Sequence, residues 1–246
     1  MPLPGPPRRL VAVVAASALA LAGCGGSDDP ADESSAVDPV TTPATSSAEP
    51  APSTRPAPSR VIPDDFPLTA GWPRRPGEPG QPGLTGPNRT LPALDLAPCD
   101  VPAADPEPAD RLRADWADIE DFRSRQLTSY PTVAAASTAL DALVATYRSC
   151  PEHASNPQST TTYALDRTSY GDESWAVAAT ETYDGYPTTY LGAWHFVRVG
   201  LAVLVTADHG EGGAGPPGTL ERNVHRSAAE AEAVIAAMCT FAVDGC

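Results

Sequence analysis

Proline placement is the strongest constraint on what this 246-residue chain can fold into. Of its 29 prolines, most lie before residue 110. Proline lacks the amide proton that helix interiors and inner strands require, so this half cannot build a regular core. Length alone allows one domain or two, but a globular α+β domain is expected only over residues 99–246. Residues 24–60 read as a stalk rich in Asp, Glu, Ser, Thr, Ala and Pro. They show no apolar periodicity and are expected to be disordered and extended. Residues 61–98 form a Pro/Gly-rich extended arm whose Pro-Gly repeats do not keep the period of collagen. Its Phe66 and Trp72 either dock on the domain or ride in a disordered linker, and the residues leave both readings open.

Residues 1–23 have the makings of an export signal. Arg8 and Arg9 precede the apolar run 10–22, which closes in small residues, the order of a charged n-region, an h-region and a cleavage site. The run is shorter than the ~20 residues of a membrane span. A buried helix or an ordinary cleaved signal are the rival readings. The helix fits poorly between Pro2, Pro4, Pro6 and Pro7 on one side and Gly25-Gly26 on the other. With Leu21-Ala22-Gly23-Cys24 at its end, the segment resembles a bacterial lipoprotein signal. The resemblance implies that Cys24 becomes the first mature residue and carries the lipid anchor. The expected address is therefore the extracytoplasmic face of a cell membrane. Two or three acyl chains, at about 0.8 kcal/mol per buried methylene, hold a soluble domain there.

The formal net charge is -15, and loss of residues 1–23 removes two arginines and no acid, leaving -17. Nucleic acid is excluded as a partner, since phosphate binding needs a basic stripe, and so is polybasic docking on anionic lipid. All 16 basic residues are arginine, which together with the Ala and Pro load points to a GC-rich genome such as that of an actinobacterium.

After Cys24, four cysteines remain: Cys99, Cys150, Cys239 and Cys246. An even count in an exported chain reads as two disulfides with three possible pairings. Closeness in sequence and Gly245 favour Cys239–Cys246, which leaves Cys99–Cys150. Zinc is disfavoured, because there is no C-x-x-C pair and the gaps of 50, 88 and 6 residues match no common module.

Within 99–246, Leu112, Ala114 and Trp116 alternate with charged residues as a half-buried strand does, and 122–130 reads as a second. Thr132 is placed to cap a helix carrying Val133, Ala136, Leu140, Leu143, Val144 and Tyr147 on one face and ending at Cys150-Pro151. Four strands follow, over 160–168, 174–183, 188–199 and 201–207, with a hairpin turn at Asp184-Gly185. Ser227 is read as the cap of a last helix with Ala228, Ala231, Val234, Ile235 and Met238. The order ββαββββα implies α+β: a largely antiparallel sheet of about six strands with both helices on one face.

No catalytic or cofactor motif emerges. Of His153, His195, His209 and His225, a metal set of His209, Glu211 and His225 is conceivable. Solvated loop histidines are the better account, since ligands need fixed geometry. The glycine-rich 210–215 lacks the following helix N-terminus of a nucleotide loop. There is no G-x-S-x-G elbow. Asp115, Asp118, Glu120 and Asp121 cluster near a turn without calcium-loop spacing, and read as a solvated acidic turn. Of Trp116, Trp175, Trp194, Tyr163, Tyr183, Tyr186 and Tyr190 some must be core, and core packing is the default for all; any on a sheet face not covered by helices would line an apolar cleft or a partner surface.

The element order, with Gly171-Asp-Glu-Ser174 entering a strand and the hairpin run Val197-Arg-Val-Gly-Leu-Ala-Val-Leu-Val205, resembles actinobacterial sensor-like lipoproteins akin to PknH-type kinase ectodomains. The resemblance implies a non-enzymatic module that binds or senses something outside the membrane, and it assigns no cleft residues here. Two readings follow: a tethered binding module for a small or lipid-like ligand, with an apolar cleft, or an envelope interaction domain with an exposed aromatic patch and no cavity. An uncharacterised hydrolase ranks third, because no nucleophile–base pair is visible.

Overall fold

The fold is organised by one eight-stranded antiparallel sheet sandwiched between helices. In this computed structural model the described residues are 57–73, 80–211 and 219–243, all within the compact unit Ser53–Cys246. The expectations for the signal, for Cys24, for most of the stalk and for Cys246 lie outside them. In chain order the elements are β1 (Gly83–Asn88), a 3₁₀ turn (Pro98–Asp100), β2 (Asp110–Ala117), β3 (Asp121–Ser129), α1 (Val133–Ser149), β4 (Glu152–Ala154), β5 (Ser159–Thr168), β6 (Glu173–Tyr183), β7 (Tyr186–Val199), β8 (Ala202–Glu211), α2 (Thr219–Ala237) and a closing 3₁₀ turn (Met238–Phe241).

The sheet order β1-β2-β3-β8-β7-β6-β5-β4 joins two meanders. The first climbs β1-β2-β3. Helix α1 then carries the chain to the far edge, and β4 through β8 return by hairpins until β8 pairs with β3. Thr132 caps α1 as expected, its side chain accepting from the Ala135 amide at 3.1 Å. The Asp184-Gly185 turn has φ of 49° and 80°, the positive pair that a tight two-residue hairpin requires. At the β7–β8 turn Gly200 has φ 56°, and a Cβ there would run into the Phe241 carbonyl, so only glycine lets the closing 3₁₀ turn pack on the hairpin.

Side-chain alternation builds two cores, one on each face of the sheet. On the first face Leu112, Trp116, Leu127, Val197 and Leu204 meet Val234 of α2 and Met238 and Phe241 of the closing turn. On the second, Val177, Trp194, Phe196, Val203 and Val205 meet Ala136, Leu140, Val144 and Tyr147 of α1. Both helices were expected on one face, and the structure corrects this. Successive residues of β7 and β8 point to opposite sides, and each side is apolar enough to hold its own helix. The strand count also rises from about six to eight. The additions are the edges: β4, three residues long, and β1, which carries Pro87 where an edge strand tolerates it.

The 61–98 segment contributes more than β1. Ile62, Phe66, Leu68 and Trp72 are buried in the α2-face core, and Phe66 and Phe241 have ring centroids 6.0 Å apart. Arg89 fixes this segment by donating to Asp64 at 2.6 Å, to Asp110 at 2.9 Å and to the Ile62 carbonyl at 2.6 Å. Cys99 and Cys150 form a disulfide with Cα atoms 6.0 Å apart, tying the strap ahead of β2 to the end of α1. Cys239 is disulfide-bonded as well.

Candidate functional site: a polar cleft between α2 and the sheet end

Register brings polar side chains together on the α2 face. Arg123 lies opposite Asp208 and Arg125 opposite Thr206 across β3–β8. Asp208 lies opposite Ala193 and Thr206 opposite His195 across β7–β8. Two adjacent rows, Arg123-Asp208-Ala193 and Arg125-Thr206-His195, thus point towards α2. The outer row floors a cleft of about 630 Å³, walled by the β2–β3 turn and roofed by Asn223, Ser227 and Glu230 of α2.

Charges within it are organised rather than scattered. The Ser227 hydroxyl donates to Asp208 Oδ2. Arg123 donates to Asp121 at 2.7 Å and to Glu230 at 2.5 Å and stacks 5.6 Å from the Trp116 ring centroid. Burial works against the Arg123 charge, but the carboxylates of Asp121, Glu230 and Asp208 outweigh it and raise its pKa. Asp208 shows the reverse balance: burial pushes its carboxyl up, against the pull of Ser227, Arg123 and Arg125. Gly210 lets the turn close on β8, since a Cβ there would sit 2.9 Å from the Glu120 carbonyl oxygen.

The inner row is buried with polar capacity unused. His195 is 2% exposed and Thr206 2%, and both ring nitrogens of the one and the hydroxyl of the other lack a hydrogen-bond partner among the described residues. Burial, then the nearby His225, lowers the His195 pKa from 6.5 to about 4. Folded His195 therefore stays neutral where the unfolded chain would protonate. Its contribution to stability is whole above about pH 6.5 and declines as pH falls towards about 4, by about 3 kcal/mol in all. His209, also lowered by burial, adds in the same direction, and Asp208 opposes it. Urea unfolding from neutral pH down to about 4.5 checks this: His195→Leu should flatten the slope, and an unchanged slope would show that His195 is not the source.

On the opposite face, around the end of β8, lies an open hollow of about 470 Å³ that shares the β2–β3 turn with the cleft and adds Phe122, Glu181 and Tyr190. Tyr190 and His209 Nδ1 share a hydrogen bond of 2.9 Å, and Trp194 meets the His209 ring edge-on at 5.0 Å. A separate apolar cavity of about 210 Å³ lies beneath the disulfide-tied strap, between Leu94, Leu143, Val203 and Val205.

The residues singled out in the sequence are partly reunited. His209 and Glu211 sit at the end of β8 with side chains on the α1 face, whereas His225 is on α2 across the sheet, so the imagined metal set does not assemble; no group of three or more such ligands gathers among the described residues. His153 lies 3.7 Å from Asp100 near the disulfide. The acidic cluster divides: Asp115 is engaged by Arg113 and Ser124 and Asp121 by Arg123, while Asp118 and Glu120 edge the cleft. Trp116, Trp194 and Tyr163 pack in the cores. Trp175 lies between Arg148 and Arg167, at 5.1 and 5.9 Å. Tyr183 and Tyr186 are exposed. Loop residues 212–218 lie outside the described residues. The reading of 227–238 missed Ser227's role, because that residue sits inside α2 and bonds across to the sheet instead of capping.

No protein-family model matches this sequence, and neither does any curated protein. Among solved structures, the chain is similar to the extracellular domain of PknH from Mycobacterium tuberculosis, with a TM-score of 0.37 at 10% identity over 51% of this chain and 63% of that one. The match thus spans less than two thirds of that domain, and the expected resemblance holds at the level of fold.

Proposed function

We propose that this chain is a lipid-tethered extracytoplasmic binding module whose cleft beneath α2 takes a small polar ligand without turning it over. The cleft itself carries the reading. Its volume of about 630 Å³ falls within the range of about 300–1,000 Å³ typical of small-molecule sites, and its floor is tied to α2 by the Arg123–Glu230 ion pair and the Ser227–Asp208 hydrogen bond. An apolar cleft for a small or lipid-like ligand was the expectation; the lining instead mixes carboxylates, Arg123, Arg226, Asn223 and Ser227 with Ile119, Leu191 and Ala193, which favours a small polar ligand. Ser227 meets a carboxylate and no imidazole, which gives a hydrolase reading no support. The alternative, an interaction domain, is favoured by Ile119 and Tyr186, 68% and 76% exposed at the two hairpin tips of this sheet end.

Native mass spectrometry of the chain extracted from its own host's membranes tests the binding role. A reproducible non-covalent increment, lost in Asn223→Trp, is expected; bare protein would overturn it in favour of a protein partner. The tether has its own test. Cys24→Ala should move much of the protein from the membrane pellet to the soluble fraction, because in this reading the acyl chains on Cys24 are the tether. Retention in the pellet would refute lipidation at Cys24.

A further inference from the structure

We infer that the cavity beneath the strap is a ligand site of its own, for a small uncharged molecule with an apolar body and one hydrogen-bond acceptor such as a carbonyl. It lies on the α1 face, across the sheet from the cleft under α2, and does not depend on that cleft. Its volume is about 210 Å³. Protein interiors leave few voids larger than a water molecule, and an apolar cavity of about 150 Å³ already takes up benzene. Three elements supply its apolar walls: Val203 and Val205 of β8, Ala139 and Leu143 of α1, and Leu94 and Leu96 of the strap. A buried water needs about two to four polar partners, which those walls do not offer.

The remaining wall is polar. Gln126 and Thr128 of β3 line the cavity, 7% and 3% exposed. The Leu94 amide donates to Gln126 Oε1 at 2.9 Å, which fixes how the side-chain amide is turned. Gln126 Nε2 gives one N–H to Thr128 Oγ1 at 3.3 Å. Its second N–H and the Thr128 hydroxyl proton find no acceptor among the described residues. Buried donors are almost always satisfied, so spare protons on this wall suit an acceptor carried in by a ligand. The charged residues of the lining, Asp95 and Asp105, are on the strap and exposed. Asp105 already accepts from Tyr130 at 2.7 Å and pairs with Arg111 at 3.2 Å. A charged ligand would shed its hydration with no counter-charge inside.

The strap has the build of a lid. Residues 89–109 carry only the three-residue 3₁₀ turn, and connections longer than about 12–15 residues without their own secondary structure are usually functional. Two of its hydrogen bonds to the body, Leu94 to Gln126 and Tyr130 to Asp105, join residues that line the cavity. Releasing them opens the site, while the Cys99–Cys150 bond keeps the strap attached.

The test is a titration of the whole mature chain with acetophenone, with ethylbenzene, which lacks the carbonyl, and with benzoate, followed by NMR of backbone and side-chain amides. Acetophenone should bind saturably, shifting the amides of 94–96, 126–128 and 203–205 together with the Gln126 side-chain amide. Ethylbenzene should bind about tenfold more weakly, the loss of one hydrogen bond, and benzoate should not bind. Leu143→Phe, which fills the cavity from α1, and Ala104→Trp, which plugs it from the exposed strap, should each abolish saturable binding. An unchanged melting temperature in either variant shows that the loss is not unfolding. No saturable shift, equal affinity for ethylbenzene, benzoate binding at this site, or shifts confined to 118–123 and 208–211 around the other cleft would each overturn the assignment.

Discussion

Replacing Arg125 by methionine is expected to lower the unfolding free energy by about 3–5 kcal/mol, because three charge-assisted hydrogen bonds to backbone carbonyls are lost together and their acceptors are left unpaired. Arg125 is 2% exposed and its guanidinium bonds to three backbone carbonyls. Nη1 donates to Leu68 at 3.1 Å and to Ala70 at 2.5 Å, and Nη2 donates to Glu230 at 3.0 Å. The same group stacks 4.8 Å from the Trp72 ring centroid. One side chain of β3 thus joins the N-terminal segment, the sheet and α2. Burial lowers its pKa to about 10, which leaves it charged at neutral pH. Methionine fills the space but abandons three acceptors away from water. Lysine should rescue little, because a point ammonium lacks the planar fork that reaches three carbonyls. Urea unfolding gives the energy, and faster proteolysis within 62–72 shows which part detaches. A loss below about 1 kcal/mol would mean that the carbonyls find water and that the hub is not structural.

Cys99→Ala/Cys150→Ala should cost about 4 kcal/mol, the chain-entropy value for a cross-link spanning 51 residues. The bond holds the strap over the α1 face, where the Leu94 amide donates to Gln126 at 2.9 Å and Tyr130 donates to Asp105 at 2.7 Å. Those contacts should loosen together, exposing the apolar cavity beneath, with increased binding of a hydrophobic dye as a second sign. A variant with an unaltered denaturation midpoint would show that strap packing alone suffices.

Much of this architecture could be read from residues. Strict alternation in β2, the Thr132 cap, the helical stripe of α1 and the Asp184-Gly185 turn are local signals, and the fold obeys each. The placement of the helices was legible too, but in a different signal. Residues 201–207 are buried without a break, and Ala202, Val203, Leu204 and Val205 are apolar on both parities, the mark of a strand covered on two faces. Hairpin turns reveal pairing but not which face a helix will choose. Ser227 misled because a serine three residues before Glu230 imitates a capping box, and the tertiary bond to Asp208 overrides it. Strand β1 was hidden by Pro87, and the docking of Leu68 depends on Arg125 and that of Ile62 on Arg89 and Asp110, all distant in sequence and silent as motifs.

The cleft was less legible still. Asp118 and Glu120 were visible only as an acidic turn, because what they face is set by the β3–β8 and β7–β8 registers. Arg123, Asp208, Ala193 and Ser227 come from four elements with no common spacing. His195 was noted between Trp194 and Phe196, but its isolation follows from the row it occupies under α2.

A crystal structure of the chain purified from its own host's membranes, without exchange into ligand-free buffer, tests the binding role most directly. Density for a small molecule is expected between Asp208, Asn223 and the 118–121 turn, with a polar atom within hydrogen-bond distance of a carboxylate. A cleft that holds only water, in protein that has never been stripped, would contradict the role.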